Sequence, residues 1–263
     1  MFDFTKIITI IVDNQPLIIA GILSTIILAV FGTVVGLLIG VFIAYGKNWK
    51  PRKSSNLFTQ IISNIVRLFC NIYSVVLRGT PMMVQALIFK YGCAAMGLNW
   101  DLIRSPNPAV NNVLNGWFLA GLIVITFNTA AYMAEIVQSG LNGIDVGQVE
   151  GAKSLGMSNR QASLKVILPQ VIRNSLPTIG NELIVNIKDS SVLNVIATTE
   201  LYFRIGMISV RTYAYLEGYI ILAVIYLLLT LIATGILKLI EKKLDGKKIS
   251  FNPFARWKRG LFA

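Results

Sequence analysis

Glu182 and Asp189 stand seven residues apart in the least apolar of the chain's long hydrophobic stretches, about Leu176 to Thr199. That spacing is two helical turns, so the two carboxylates share one face. Ionisable groups inside an apolar span are costly unless they are paired or line a ligand path. On a pore-facing stripe the two acids would receive a cationic group, such as an amino acid's α-ammonium or a basic side chain. Arg78 offers the opposite complement. It precedes Thr80-Pro81, where threonine is expected to cap a restarted helix and proline to occupy its first position. A guanidinium beside a helix start suits an α-carboxylate. The other reading of these residues is structural, with Glu182, Lys188, Asp189 and Arg78 neutralising one another or capping helices. Glu135, close to the inner end of the third span, is expected to brace the polar hairpin that follows rather than touch a ligand.

The elements that must position these groups follow from composition. Of 263 residues, 55% are hydrophobic and 14% charged, which is a membrane protein's balance. No residue is charged between Asn14 and Gly46, giving a first span over about Leu17 to Tyr45. Gly32, Gly36 and Gly40 form a small-residue ridge along it, suited to close helix packing. Asn56 to Gly97 is too long for one crossing and is expected to break at Thr80-Pro81; a break in the membrane must line protein or a cavity. A polar loop, Leu98 to Asn115, leads to a third span over about Gly116 to Val137. The fourth is Leu176 to Thr199. After an outer loop, Ala197 to Glu217, twenty uncharged residues before Lys238 provide the fifth. The expected fold is all-α and integral to the membrane. Residues 1–16 form an outer, interfacial segment, 17–242 the transmembrane domain and 243–263 a basic tail.

Charge sets the orientation. The net charge is +12; in a soluble protein this would suggest nucleic acid, but here its placement argues topology instead. With the N-terminus outside, sixteen Lys and Arg fall on inner segments and four (Lys6, Arg104, Arg204, Arg211) on outer ones. This satisfies the positive-inside rule. The chain has no histidine, which excludes histidine-based metal sites and acid–base chemistry. Cys70 and Cys93 are expected on one helical stretch about 34 Å apart, too far to pair, and read as small apolar fillers.

On the inner side, residues 145–169 read as a polar helical hairpin. Asp145 is expected to N-cap the first helix, with Gln148 closing a capping box, and Gly156 to end it in the left-handed conformation. Ser158 and Gln161 repeat the box, and Leu168-Pro169 is expected to end or kink the second helix. Capping alone would describe an ordinary loop. However, Glu150-Gly151-Ala152, then Gly156, then Ile167-Leu168-Pro169 resembles the E-A-A loop of ABC-importer permeases, with Gly151 replacing the first alanine. Arg78-Gly79-Thr80-Pro81 with Val84-Gln85, Thr129 to Ile136, Leu168-Pro169-Gln170, Gly180-Asn181-Glu182-Leu183 and Lys188-Asp189-Ser190-Ser191 are similar to the polar amino acid branch of that family. The likeness covers nearly everything from Leu17 to Lys242.

The resemblance implies a type I permease fold with five transmembrane helices and a cytoplasmic coupling hairpin, in a bacterial cytoplasmic membrane. It implies a second permease, identical or paralogous, an extracytoplasmic substrate-binding protein, and a dimer of separate ATPase subunits that binds the ATP; no cofactor is expected on this chain. Gln148, Glu150, Gly151, Ala152 and Gly156 would contact the ATPase, with Glu150 as polar anchor. Arg78, Thr80, Glu182 and Asp189 would contact an amino acid substrate. No G-x-x-x-x-G-K-[ST] is present, so the chain is not expected to hydrolyse ATP itself. A self-sufficient secondary transporter or channel would use the same carboxylates but has no use for the hairpin. An intramembrane enzyme would need a nucleophile or ligand set that the sequence does not offer.

Overall fold

A computed structural model describes residues 4–51 and 56–245. The basic tail from residue 246 onward, and Arg52 and Lys53 among the inner-side cations, lie outside the described residues. Among the described residues all regular structure is helical. The chain runs α1 (Phe4–Asp13), α2 (Gln15–Asn48), α3 (Leu57–Gly79) and α4 (Met82–Ala95), then through a 3₁₀ turn and the short α5 (Pro108–Asn111) into α6 (Gly116–Asn142). The hairpin helices α7 (Val146–Ser154) and α8 (Asn159–Ala162) follow, then α9 (Leu168–Asp189), α10 (Leu201–Thr212) and α11 (Tyr215–Asp245). By length and composition α2, α3, α6 and α11 can each cross a membrane. The fifth long helix, α9, is too polar to qualify by that measure; it packs against α2, α6 and α11 and leaves ten of its 22 residues exposed.

The centre of the bundle is the α2–α6 contact, and glycine makes it. A Cβ on Gly32 would lie 3.2 Å from Ile125, one on Gly36 3.0 Å from Thr129, and one on Gly40 2.6 Å from the Met133 Cβ. The ridge therefore brings the two backbones together, where dispersion between close helices replaces the hydrophobic drive that lipid lacks. Buried Asn186 joins α9 to this seam: it accepts from Thr129 Oγ1 at 3.0 Å and donates to Thr33 Oγ1 at 2.9 Å. At the end remote from the hairpin, Ile10 of α1 packs with Leu201, Ile205 and Ile221. Deeper in, Leu28, Ala86, Phe118 and Ile125 pack around Leu193 and Ile196.

Several expectations are corrected. Of the two outcomes expected at Leu168-Pro169, the helix does not end there but is distorted. A π-turn over Ser163–Ile167, in which Leu168 N–H reaches back to Ser163 O, accommodates the proline and lets the chain run into α9. The fourth span therefore begins at Leu168, and it stops at Asp189 rather than Thr199. There the chain tightens into a 3₁₀ turn, Ser190–Ile196, that buries Leu193 and Ile196 and closes on Ala197 at φ 63°. The expected outer loop from Ala197 to Glu217 instead forms α10. Glu200, fully buried, caps it by accepting from Tyr202 N and Phe203 N, and it accepts a third bond from Tyr226 Oη at 2.7 Å. Cys70 and Cys93 are both free and buried but fall on different helices, α3 and α4.

Candidate functional site

The break between α3 and α4 comes where the sequence places it, with different capping. Thr80 is not the N-cap: it is extended (φ −120°, ψ 144°), and its hydroxyl donates back to Val76 O at 2.8 Å. Pro81 precedes the first helical residue, Met82, and supplies no side-chain cap. The orphaned carbonyls are taken up by Gln85, whose Nε2 donates to Leu77 O at 2.8 Å and Thr80 O at 2.9 Å. Gln85 Oε1 is held in turn by Asn128 Nδ2 at 3.0 Å. The sequence reading gave neither residue a role; an amide four residues after the proline was the available signal. Gln85→Leu is expected to leave Thr80 O without its donor and Leu77 O with only the long 3.4 Å bond from Asn128 Nδ2, at a cost of about 0.5–1.5 kcal/mol. A thermal melt of the detergent-solubilised protein should show a clear loss, and an unchanged melt would mean that water replaces the amide.

Below the break lies a polar cavity of about 450 Å³ lined by Arg78, Tyr132, Glu135, Asn174, Thr178 and Glu182, among others. It extends to Gly143, two residues before the hairpin. Arg78 lies over the Tyr132 ring, 5.9 Å from its centroid, and its Nη1 is 3.2 Å from Glu135 Oε1. Glu135 is also paired with Lys47. Glu182 is half-buried on the α9 side of the same space. The structure thus brings Arg78 and Glu182 to one cavity. Asp189 is the last residue of α9, about 10.5 Å further along the axis at 1.5 Å per residue, and it is exposed and outside the cavity lining. Thr80 lines a separate, largely apolar groove of about 620 Å³ with Phe69, Val76, Ile88 and Phe127. Glu135 pairs with the cations of α2 and α3 instead of bracing the hairpin.

The hairpin is built by local bonds. Asp145 Oδ1 accepts from Gly147 N at 2.6 Å and caps α7. Gln148 does not close a capping box; its side chain accepts from Gln170 Nε2 at 3.2 Å and ties α7 to the start of α9. Gly156, at φ 76°, ends α7 in a Schellman arrangement, with Met157 N on Ala152 O (3.1 Å) and Gly156 N on Lys153 O (2.9 Å). The Ser158–Gln161 capping box is complete. Ala152 is buried inward, whereas Glu150 is exposed, a Cβ on Gly151 would meet nothing within 4 Å, and Leu155 is 80% exposed. The hairpin thus presents one open polar face on α7, with Leu155 uncovered at its end.

Residues 36–246 match the family of binding-protein-dependent transport system inner membrane components, and the chain belongs to that family. It is 32% identical over 227 residues to the putative glutamine transport system permease protein GlnP of Rickettsia prowazekii (strain Madrid E), covering 86% of this chain and 92% of the relative. To the arginine transport system permease protein ArtQ of Bacillus subtilis (strain 168) it is 31% identical over 235 residues, covering 89% and 94%. Among solved structures, an amino acid ABC transporter crystallised with histidines superposes with a TM-score of 0.74 at 35% identity, over 92% of this chain and 99% of that one. The fold is that of a type I ABC-importer permease. The protein is a multi-pass membrane subunit of a transport system whose family members work with ATPase and substrate-binding components.

Proposed function

We infer that the protein is the permease subunit of an importer that carries polar or charged L-amino acids into the cytoplasm of a bacterium. The observation that carries this reading is the cavity where Arg78 and Glu182 share one space of about 450 Å³, adjoining the hairpin. A guanidinium and a carboxylate in one cavity are complementary to a zwitterion. The names of the glutamine and arginine relatives support the substrate class. Arg78 receives the α-carboxylate and Glu182 the ammonium. Asp189, beyond the cavity on the same helix, and Thr80 at the break belong to the path the substrate takes.

The hairpin, 145–169, lies in the cytoplasm and docks on a dimer of ATPase subunits, which bind the ATP; this chain needs no cofactor of its own. Glu150 anchors the contact, Gly151 permits close approach, and Gln148, Ala152 and Gly156 set its shape. A second permease completes the pathway, and an extracytoplasmic binding protein delivers substrate to the outer side. Closure of the ATPases draws the two hairpins together and turns the spans from inward- to outward-open, a domain rearrangement of ordinary type. Segment 1–16 lies outside, 17–242 is the transmembrane domain and the basic tail, 243–263, is on the cytoplasmic side.

Glu182→Gln removes the charge and keeps the shape. In reconstituted complex the apparent affinity for substrate should fall roughly ten- to hundredfold, with assembly and basal ATP hydrolysis intact. If the variant instead lowers the amount of folded complex while uptake per complex is unchanged, Glu182 is a structural residue.

A further inference from the structure

Glu135 is the one cavity carboxylate that the site as inferred above leaves without a task. Its Oε1 is shared by Lys47 of α2 and Arg78 of α3. The Lys47 side chain is 10% exposed and does not line the cavity, whereas Arg78, 41% exposed, does. The cluster therefore holds two cations against one anion, and the under-neutralised member is the one a ligand can reach. Charge left unpaired in a partly desolvated site is unfavourable. The cluster is short of one negative charge, at the cavity wall.

We propose that Glu135 is an internal stand-in for the substrate carboxylate, holding Arg78 while the cavity is empty and yielding it to the ligand. This rests on the reading of Arg78 as carboxylate receptor. With ligand bound, Lys47 keeps Glu135 and Arg78 takes the incoming carboxylate, so two cations face two anions. On release Glu135 recovers Arg78, and the departing ligand leaves no stranded guanidinium behind. Glu135 is thus a positioning residue that sets affinity and release, and Lys47 tunes how firmly it competes.

The test measures dissociation constants of L-arginine and L-glutamine, and of their α-carboxamides, on the assembled complex in nanodiscs. Lys47→Met leaves Glu135 wholly to Arg78 and should weaken binding of the two acids roughly tenfold. Glu135→Gln frees Arg78 and should tighten their binding by a similar factor. The carboxamides should respond to neither change. Lys47→Met/Glu135→Gln, which leaves no lone buried cation, should behave as Glu135→Gln and serves if the single variant assembles poorly. Shifts in the same direction for both variants, or equal shifts for acids and amides, would overturn the proposal while leaving Arg78 as receptor. If Arg78→Met binds acids and amides in the wild-type ratio, the receptor reading itself falls, and this inference with it.

Discussion

Gly40→Ala lowers the yield of folded complex, although alanine is the better helix former by about 1 kcal/mol. The new Cβ would lie 2.6 Å from the Met133 Cβ and 2.9 Å from the Ala134 backbone nitrogen. A backbone atom cannot swing aside, so α2 and α6 must separate, and their separation loosens the Thr33–Asn186–Thr129 bonds beside them. Overpacking of this kind costs about 1–3 kcal/mol. Gly235→Ala on α11 is the control, because a Cβ there meets nothing within 4 Å. Size-exclusion yield and melting temperature should fall for position 40 alone. Equal behaviour of the two variants would show that the seam has slack.

Gly156→Val and Glu150→Arg should abolish uptake while the permease still inserts and purifies. At φ 76° a β-branched side chain is strained by about 1–2 kcal/mol or more, enough to unwind the Schellman turn that directs Leu155 and Met157. Glu150→Arg leaves the turn intact and inverts the charge on the open face of α7. The two variants damage the hairpin by unrelated routes, so a shared loss of ATPase co-purification would locate the docking contact. Retention of the ATPase and of transport in both would refute it.

Much of this was legible in the sequence. The glycine register, the Asp145 and Ser158 caps and the φ of Gly156 follow from local stereochemistry, which a single chain carries in full. The break at Thr80-Pro81 followed for the same reason. What escaped depended on groups distant in sequence. Gln85 acts on Leu77 and is held by Asn128, Gln148 meets Gln170, and Glu135 meets Lys47 and Arg78 across three helices. The i, i+7 spacing correctly put Glu182 and Asp189 on one helix, but not the depth at which the cavity ends. The region of α10 read as a loop because the partners that bury Glu200, Tyr226 of α11 among them, lie outside its own sequence.

The π-turn before Pro169 has a mechanical consequence. Because the chain does not stop there, the hairpin and Glu182 are parts of one rod, with Glu182 fourteen residues, about 21 Å, beyond Leu168. The rod has two weak points, the π-turn itself and Pro177, which lacks the N–H that would hold the Arg173 carbonyl. If the hairpin docks on an ATPase as proposed, a push on it is expected to reach Glu182 as a change in angle at these points rather than as a slide along the axis.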